Sequence, residues 1–570
     1  MHRPGRLLLV GALLLALACL AGCKDQAPET LEEWIEHIPT IGRSDSALVE
    51  AGEGFRSAAS ARFEKGEDLS HLVPSVVPLL EEHPIIRRHA AWFLGEVGDK
   101  NAIEYLADSI DYSAGRGVDS QSRALNAANV RIARSLGEIG EPEAIPPLVR
   151  LTRAREPEEV LAAVEALGLT GRPEAVERLS ELAVADDVSP YISRRAIEAL
   201  GAIGHPDGLT ALIKMLFKER AGVSFYREAS FAVFQLGADA GPHLIAILEG
   251  RDQDFLEWAG ENGIRPEAVY AKAAQVLGDL ADNRAARALM RRLDYESEYI
   301  DMQLIPRMFA ADGLGRLRYR PAVPKLVSML DEEEANTRER YIQSLVMIGD
   351  RSVIPHLRRS ATGGRNYDAR EYSLRGIARL GGSGTLSVFD RALEAATTVN
   401  ECKSWFRGDE EAIEKQCQQR IDRLVERTKE FRPMLEAANE CETSVDCWLE
   451  KLSDGKARVR EKAAWELGWT GNQKALTPLL AAAQEDHLEA RFAIIVALDT
   501  LLFGRANDKV PSREDGERAI ERLESILAEE RGRAQFVRIN EDLRRLTLKL
   551  RRAFMERDGE IEEAETIAAQ

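Results

Sequence analysis

The sequence predicts an all-α protein, an α-solenoid (superhelix) of about eleven helical hairpins. The composition is rich in Ala, Leu, Glu and Arg and has only 6% aromatic residues, which is typical of helical proteins. A short motif also recurs: Leu94–Leu106 reads LGEVGDKNAIEYL, and Leu136–Leu148 reads LGEIGEPEAIPPL. Such self-similarity indicates stacked repeats, because one unit is too small to bury its apolar face alone.

Residues 1–22 have the pattern of a signal peptide. Arg3 and Arg6 precede the apolar run LLLVGALLLALACL, and small residues follow. The ending LAGC, which places Cys23 after two small residues, resembles a bacterial lipobox. The resemblance implies cleavage before Cys23, which becomes the acylated first residue of the mature chain. An ordinary signal peptide that is cut nearby is the alternative.

The mature chain is expected to lie on a membrane of the bacterial cell envelope without crossing it. No later stretch approaches the ~20 apolar residues that a span requires. In lipoproteins of this type, Asp directly after the cysteine often marks inner-membrane retention, so Lys24 favours the outer membrane. The formal net charge is −19 for the chain and −21 without the signal, which disfavours nucleic acid as a partner.

Residues 23–72 are interpreted as a tether followed by N-terminal helices. Thr30 and Glu33 have the spacing of a capping box. Residues 73–394 form the main repeat array, in which a Leu-Gly step marks each copy and Val346 replaces the glycine once. The copies begin at Leu94, Leu136, Leu167, Leu200, Leu236, Leu277, Leu314, Leu345 and Leu380. Their spacing is 31 to 42 residues, and 87 residues then separate Leu380 from the next copy, Leu467.

Each unit is predicted to be a helix, a turn and a second helix. Before the Leu-Gly step, Ile86, Ala90, Phe93 and Val97 lie on one helical face. Glycine near the helix end accepts the left-handed cap conformation and permits close packing. Pro142, Pro173 and Pro206 follow these caps, where the first turn of the next helix tolerates a missing N–H.

This pattern resembles the HEAT-like repeat of phycobilin lyases, over about residues 73–393 and 448–503. The resemblance implies that the second helices line a concave groove. It also implies an arginine near the start of the second helix that braces the turn. The matching residues are Arg87, Arg194, Arg338, Arg370, Arg458 and Arg491.

Residues 395–447 interrupt the array and contain Cys402, Cys417, Cys441 and Cys447. Four cysteines in an exported chain predict two disulfides. The spacings lack the C-x2-C arrangement of zinc sites, so a metal site is the less favoured alternative. Three pairings are possible, and we favour the local pairs, Cys402–Cys417 and Cys441–Cys447. Ser444 is expected to cap the helix that follows. The insertion is interpreted either as a docking element or as a segment that spans a break in the solenoid.

The repeats are expected to resume over residues 448–510, and residues 511–570 to form capping helices and an acidic tail. An amphipathic stripe runs through Phe536, Ile539, Leu543, Leu546 and Leu550. Because the ends of a solenoid must be covered, a capping helix is favoured over a coiled coil with a partner. The aromatic group Phe225, Tyr226, Phe231 and Phe234 is assigned to the core, with a contact patch as the alternative.

No catalytic motif, metal-ligand pattern or cofactor motif is found in the sequence. The functional hypothesis is a non-catalytic, membrane-anchored scaffold of the bacterial envelope that binds a protein partner through the concave face. The binding residues are not specified by any motif. The alternatives are a lyase or chaperone-like enzyme related to phycobilin lyases, and a structural spacer in an envelope complex.

Overall fold

The computed structural model describes residues 28–113, 115, 117–331, 335–363, 366–504, 509–530 and 540–554. The expected signal peptide, Cys23 and the acidic tail lie outside these residues, as do Phe536 and Ile539. The chain divides into two compact units, Met1–Ala232 and Val233–Gln570.

The first unit consists of short and long helices in alternation. These are α1 Leu31–His37, α2 Asp45–Phe63, α3 Val73–Val76, α4 Pro84–Val97, α5 Ile103–Asp108, α6 Ser120–Ile139, α7 Ile145–Leu151, α8 Pro157–Leu169, α9 Val176–Val184, α10 Pro190–Ile203, α11 Leu209–Met215 and the start of α12, Tyr226–Leu236. A two-residue antiparallel hairpin precedes α12, with β1 Glu219–Arg220 paired to β2 Val223–Ser224. The capping box before α1 is confirmed: the Glu33 N–H donates to Thr30 Oγ1 at 3.2 Å, and the Thr30 N–H donates to Glu33 Oε2 at 3.1 Å.

Each repeat is a hairpin of a short first helix and a longer second helix. The short helix follows a 3-10 turn, which Pro142, Pro173 and Pro206 begin as predicted. The second helices of successive repeats pack on one another, α4 on α6, α6 on α8 and α8 on α10. In each unit, we call the second helix of a repeat its B-helix, and the surface that the B-helices form is the B-helix face.

Two glycines of the repeat have different roles. A Cβ on Gly137, in the Leu-Gly step, would lie 2.7 Å from the Ala166 Cα of the next second helix. A Cβ on Gly468 would lie 2.9 Å from the Ala497 Cα in the same way. This glycine therefore lets the second helices approach closely. The glycine three residues later ends the helix in the left-handed conformation, as Gly140 does with φ +73°.

The second unit contains the remaining repeats, the insertion and the C-terminal helices. The repeats before the insertion are formed by α13 Ala240–Glu249, α14 Gln253–Glu261, α15 Pro266–Leu280, α16 Ala286–Arg292, α17 Ile300–Arg316, α18 Val323–Ser328, α19 Ala335–Ile348, α20 Ile354–Thr362, α21 Tyr367–Leu380 and α22 Leu386–Ala396. The later helices are α23 Val399–Lys403, α24 Glu410–Thr428, α25 Arg432–Cys441, α26 Val445–Lys451, α27 Ala457–Thr470, α28 Leu476–Ala482, α29 Leu488–Phe503, α30 Arg513–Glu529 and α31, residues 540–554.

The insertion, α23 to α25, is a packed part of the second unit. The structure joins Cys402 to Cys417 and Cys441 to Cys447, with Cα atoms 5.8 and 5.3 Å apart. Helix α24 packs on α21, and α25 packs on α27. Ser444 caps α26 by accepting from the Cys447 N–H at 3.3 Å. The insertion thus connects the two repeat segments physically, and its docking role stays a prediction.

The hairpins that resume after the insertion fold back on earlier repeats. Lys462 of α27 is fully buried, and its Nζ donates to the carbonyls of Arg379 and Gly381 at 2.5 and 2.6 Å. Arg351, which follows α19, donates to Glu466 of α27 at 2.6 Å. Helices α27 and α29 therefore lie against the C-terminal ends of earlier second helices. The Leu-Gly spacing predicts these hairpins but not this packing.

Candidate functional site

Helix α31 covers the B-helix face of the second unit. Leu543, Leu546 and Leu550, three members of the predicted amphipathic stripe, are 0 to 4% exposed. Helix α30 packs on α28 at the end of the array, where a capping helix is expected. Helix α31 contacts second helices from earlier in the unit as well as α29 and α30. The capping role expected of its stripe stays a prediction.

Two buried ionic contacts fix α31 to α15 and α17. The Asp279 side chain of α15 is only 4% exposed, and Arg545 Nη2 of α31 lies 3.1 Å from its Oδ2. Arg316 Nη1 of α17 lies 3.2 Å from Asp279 Oδ1 and 3.7 Å from Asp542 Oδ1 of α31. Burial opposes the charge on Arg316, but Asp312, Asp279 and Asp542 together raise its pKa well above the usual range.

A third contact ties α31 to α29 and to the segment after α17. Asp499 of α29 accepts from Lys549 Nζ at 2.6 Å and from Arg318 Nη1 at 2.5 Å. Burial disfavours the Asp499 charge, but the two cations outweigh it and lower the pKa of this carboxyl to about 2. The B-helix face over α15, α17 and α29 is therefore occupied by a helix of the same chain.

The B-helix face of the first unit carries exposed side chains at α8 and α10. Leu169 at the end of α8 is 64% exposed, and Tyr191 at the start of α10 is 52% exposed. Arg195 of α10 contacts both helices: its Nη2 donates to the Tyr191 hydroxyl at 3.2 Å, and its Nε lies 3.6 Å from Glu165 of α8, one turn before Leu169. The Tyr191 hydroxyl and Glu198 raise the pKa of Arg195. We call these residues the Leu169–Tyr191 cluster.

The repeat register relates this cluster to the surface under α31. Leu169 lies two positions after the repeat leucine Leu167, and Arg316 lies two positions after the repeat leucine Leu314. Arg316 contacts Asp542 of α31. The same repeat position is thus covered by a helix in the second unit and exposed at Leu169 in the first.

The repeat arginines mostly hold turns and neighbouring helices. Arg87 donates to the Leu80 carbonyl at 2.8 Å, and Arg370 donates to the Ala396 carbonyl at 2.9 Å. Arg491 makes two bonds to the Glu530 carboxylate, at 2.8 and 2.9 Å. These contacts agree with the bracing role that the resemblance implies.

The other three repeat arginines vary in environment. Arg338 is buried and donates to the Ser360 carbonyl at 3.5 Å. Arg458 pairs with Glu430 at 2.9 Å. Arg194 is the most exposed of the three, and it lies 3.3 Å from Glu228.

The aromatic group around α12 is partly core. Phe225 and Phe234 are 0% and 3% exposed, whereas Tyr226 and Phe231 are half-buried. Within the described ranges, no group of His, Cys, Asp and Glu side chains is placed to hold a metal ion. Of the helices the structure describes, none combines the length and apolarity needed to cross a membrane.

Comparison with protein families identifies the repeats. A family described as HEAT repeats matches residues 126–191, 151–232, 301–378 and 438–538, which together cover half of the chain. The chain belongs to the HEAT-repeat family. A second family, described as the PBS lyase HEAT-like repeat, matches residues 86–112 of this HEAT-repeat protein. The predicted all-α solenoid class is thereby confirmed.

Solved structures that resemble the HEAT-repeat protein share little sequence with it. The CpcE–CpcF complex of phycocyanin lyase from a Nostoc species is 20% identical over 48% of this chain and 94% of its own, with a TM-score of 0.24. Human deoxyhypusine hydroxylase is 20% identical over 49% of this chain and 96% of its own, with a TM-score of 0.21. An importin beta structure is 12% identical over 92% of this chain and 75% of its own, with a TM-score of 0.41. No curated protein matches the chain significantly.

The residues that the sequence analysis names and the residues that form the candidate site in the structure are only partly the same. The four cysteines of the insertion lie in two local pairs, and Cys23 lies outside the described residues. The Leu169–Tyr191 cluster was not predicted, because exposed Leu and Tyr carry no motif. The repeat register is the signal that finds Leu169, once the position of Arg316 beneath α31 is known.

Proposed function

We propose that this protein is a non-catalytic, membrane-anchored scaffold of the bacterial cell envelope that binds an amphipathic helix of a protein partner. The binding site is the Leu169–Tyr191 cluster on the B-helix face of the first unit. The observation that supports it is the repeat register: the position that Leu169 occupies is covered, in the second unit, by the amphipathic helix α31.

The chemistry of the cluster suits such a partner. Exposed Tyr and Leu supply apolar contact area, and Tyr and Arg are enriched where protein interfaces bind most strongly. Glu165, Arg195 and Glu198 provide a rim of both charge signs, which selects a partner helix with charges beside its apolar stripe. Helix α31 itself combines the buried leucines with Asp542, Arg545 and Lys549.

Site-specific photo-crosslinking in cells tests this site. A photoreactive phenylalanine analogue replaces Tyr191 in one variant and Tyr105 in the control, because both tyrosines are 52% exposed in the first unit. The proposal expects one protein to cross-link at position 191 and not at position 105, through a segment of amphipathic helical sequence. Equal cross-linking at both positions, or none at 191, contradicts it.

Cross-linking, together with an activity measurement, separates the alternatives. A structural spacer that does not use this face gives no specific cross-link at position 191. A lyase or chaperone-like enzyme gives turnover of a substrate that the Tyr191→Ala variant reduces, without a stoichiometric partner. The scaffold proposal expects a stoichiometric partner instead.

The membrane anchor is a separate part of the proposal and rests on the LAGC sequence at residues 20–23. Acyl chains contribute about 0.8 kcal/mol per buried methylene, so two or more chains hold a protein at a bilayer stably. A Cys23→Ser variant is expected to leave the membrane fraction and to incorporate no labelled palmitate. Continued palmitate labelling, or unchanged membrane attachment, contradicts the anchor without bearing on the Leu169–Tyr191 cluster.

A further inference from the structure

The second unit contains a cavity that the proposed function does not use. Its volume is about 320 Å³, and second helices α17, α19, α21, α27 and α29 form its wall together with Asp542 of α31. A volume of this size is in the range of small-molecule sites. The four arginines of the lining are matched by four carboxylates. The wall is therefore close to neutral overall and contains both charge signs.

Adjacent residues of α19 supply one unpaired group of each sign. Arg340 and Glu339 both line the cavity. Among the described residues, the Arg340 guanidinium has no acceptor and the Glu339 carboxylate has no donor. The other lining arginines differ: Arg375, for example, binds Glu489 and Glu371, each at 3.0 Å. A cation and an anion that make no side-chain hydrogen bond or ion pair within the described residues are thus available side by side.

Further donors without acceptors lie in the same wall. The Trp465 side chain is 3% exposed, and in the described structure no acceptor reaches its Nε1–H. The Nε of Arg375 is also buried without an acceptor. Burial, followed by the neighbouring Arg379, lowers the pKa of Arg375. Buried donors without acceptors cost stability, and an oxygen-rich group beside them removes that cost.

The wall also contains aromatic and apolar side chains. The rings of Trp465 and Phe492 meet edge to face with centroids 6.2 Å apart, and Trp469 stacks on Trp465 at 5.7 Å. Leu488, which is 50% exposed, also lines the cavity. Such a surface favours a ligand with an apolar or aromatic body.

We propose that this cavity binds an apolar α-amino acid as its zwitterion. The ligand carboxylate binds Arg340, the ligand ammonium binds Glu339, and the ligand side chain packs on Trp465 and Phe492. A zwitterion leaves the charge balance of the wall unchanged, whereas a dianion such as phosphate adds two negative charges to a wall that is already neutral. The site is independent of the Leu169–Tyr191 cluster.

Three probes of one shape test the proposal on the full chain. L-phenylalanine carries both charges, 3-phenylpropionate lacks the ammonium, and phenethylamine lacks the carboxylate. Titration calorimetry and tryptophan fluorescence are expected to show L-phenylalanine binding with a Kd on the order of 1 mM or tighter. Each of the other two probes is expected to bind about tenfold more weakly, because it lacks one charged contact.

Matched variants assign the two contacts. Arg340→Met is expected to weaken L-phenylalanine about tenfold and to leave phenethylamine unchanged, and Glu339→Gln is expected to weaken L-phenylalanine and to leave 3-phenylpropionate unchanged. Arg358→Met, at an exposed position of α20, is the control. Thermal unfolding confirms that each variant is folded. The proposal is overturned if the three probes bind equally, or if 3-phenylpropionate binds more tightly than L-phenylalanine. It is also overturned if both variants bind L-phenylalanine as the original protein does, or if no saturable binding occurs at millimolar concentration.

Discussion

Lys549 of α31 places its Nζ 2.6 Å from Asp499 Oδ1 of α29, while Arg318 binds the other carboxylate oxygen. One carboxylate thus holds together the C-terminal helix, a resumed repeat and the segment after α17. Asp499 favours the charge of Lys549, which burial opposes, and it also pairs with the buried Arg318. Helix α31 is therefore held on the B-helix face in part by a carboxylate that two cations share.

Asp499→Asn is expected to destabilise the second unit by about 3 kcal/mol, because removing the charge on one side of a buried ion pair weakens the compensation for burying the other side. Urea unfolding measures the change, and hydrogen exchange in α31 locates it. Glu524→Gln is the matched control, since Glu524 and its partner Arg551 are 45% and 54% exposed. Such an exposed pair contributes about 0–1 kcal/mol. Similar losses in the two variants would contradict the role of Asp499.

From the lowered pKa of Asp499 we predict that α31 is released in acid. The folded pKa of Asp499 is lowered from 3.8 to about 2. A depressed carboxyl pKa contributes stability that is present above the unfolded pKa and is lost as the pH falls through the folded pKa. Hydrogen exchange in α31 is expected to accelerate between pH 4 and pH 2, and Asp499→Asn to remove that part of the pH dependence. An unchanged profile in the variant would exclude Asp499 as its source.

We predict that the first unit loses stability at a higher pH than the second, because of His89. Burial, with Arg88 and Arg56 as further causes, lowers the pKa of His89 from 6.5 to about 4. The unfolded chain therefore binds the proton first, and stability falls as the pH decreases from 6.5 to 4, by up to about 3 kcal/mol. His89→Gln is expected to flatten the stability profile in this window. His71→Gln, at an exposed histidine, serves as the comparison and should leave the profile as it is.

We predict that any side chain in place of the glycine of the Leu-Gly step destabilises the protein, because the neighbouring helix is too close. Gly468→Ala puts a Cβ 2.9 Å from the Ala497 Cα, and backbone cannot yield as a flexible side chain can. We expect a loss of about 1–3 kcal/mol. Gly260→Ala in α14, where a Cβ meets nothing within 4 Å, is expected to be neutral or to stabilise by about 0.5–1 kcal/mol. Differential scanning calorimetry compares the two, and equal effects would refute close packing at the repeat glycine.

The Cys402–Cys417 disulfide is expected to stabilise the insertion by about 3 kcal/mol, since it closes a 15-residue spacing. Thiol labelling followed by mass spectrometry should find the cysteines of the insertion unreactive until a reductant is added. Cys402→Ala with Cys417→Ala then lowers the unfolding free energy. Full labelling of the unreduced protein would show that the cysteines are free thiols.

The repeats could be predicted from the sequence because local periodicity determines each hairpin. The Leu-Gly spacing locates the second helices, and Pro142 marks the start of a following turn. The placement of α31 could not be predicted, because its leucines specify an apolar stripe and not the surface that covers it. The exposure of Leu169 could not be predicted either, since it depends on which repeats receive a covering helix.

The contact between Asp279 and Arg545 also has a consequence for the order in which the molecule folds. The two residues are 266 positions apart, and Arg318 and Asp499 are 181 apart. A chain made from its N-terminus can form the first unit early, from contacts between neighbouring repeats. The contacts between α31 and the earlier helices of the second unit form only when α31 has been synthesised. A truncated chain therefore exposes the apolar surface that α31 covers, and a protease or chaperone can distinguish it from the finished protein.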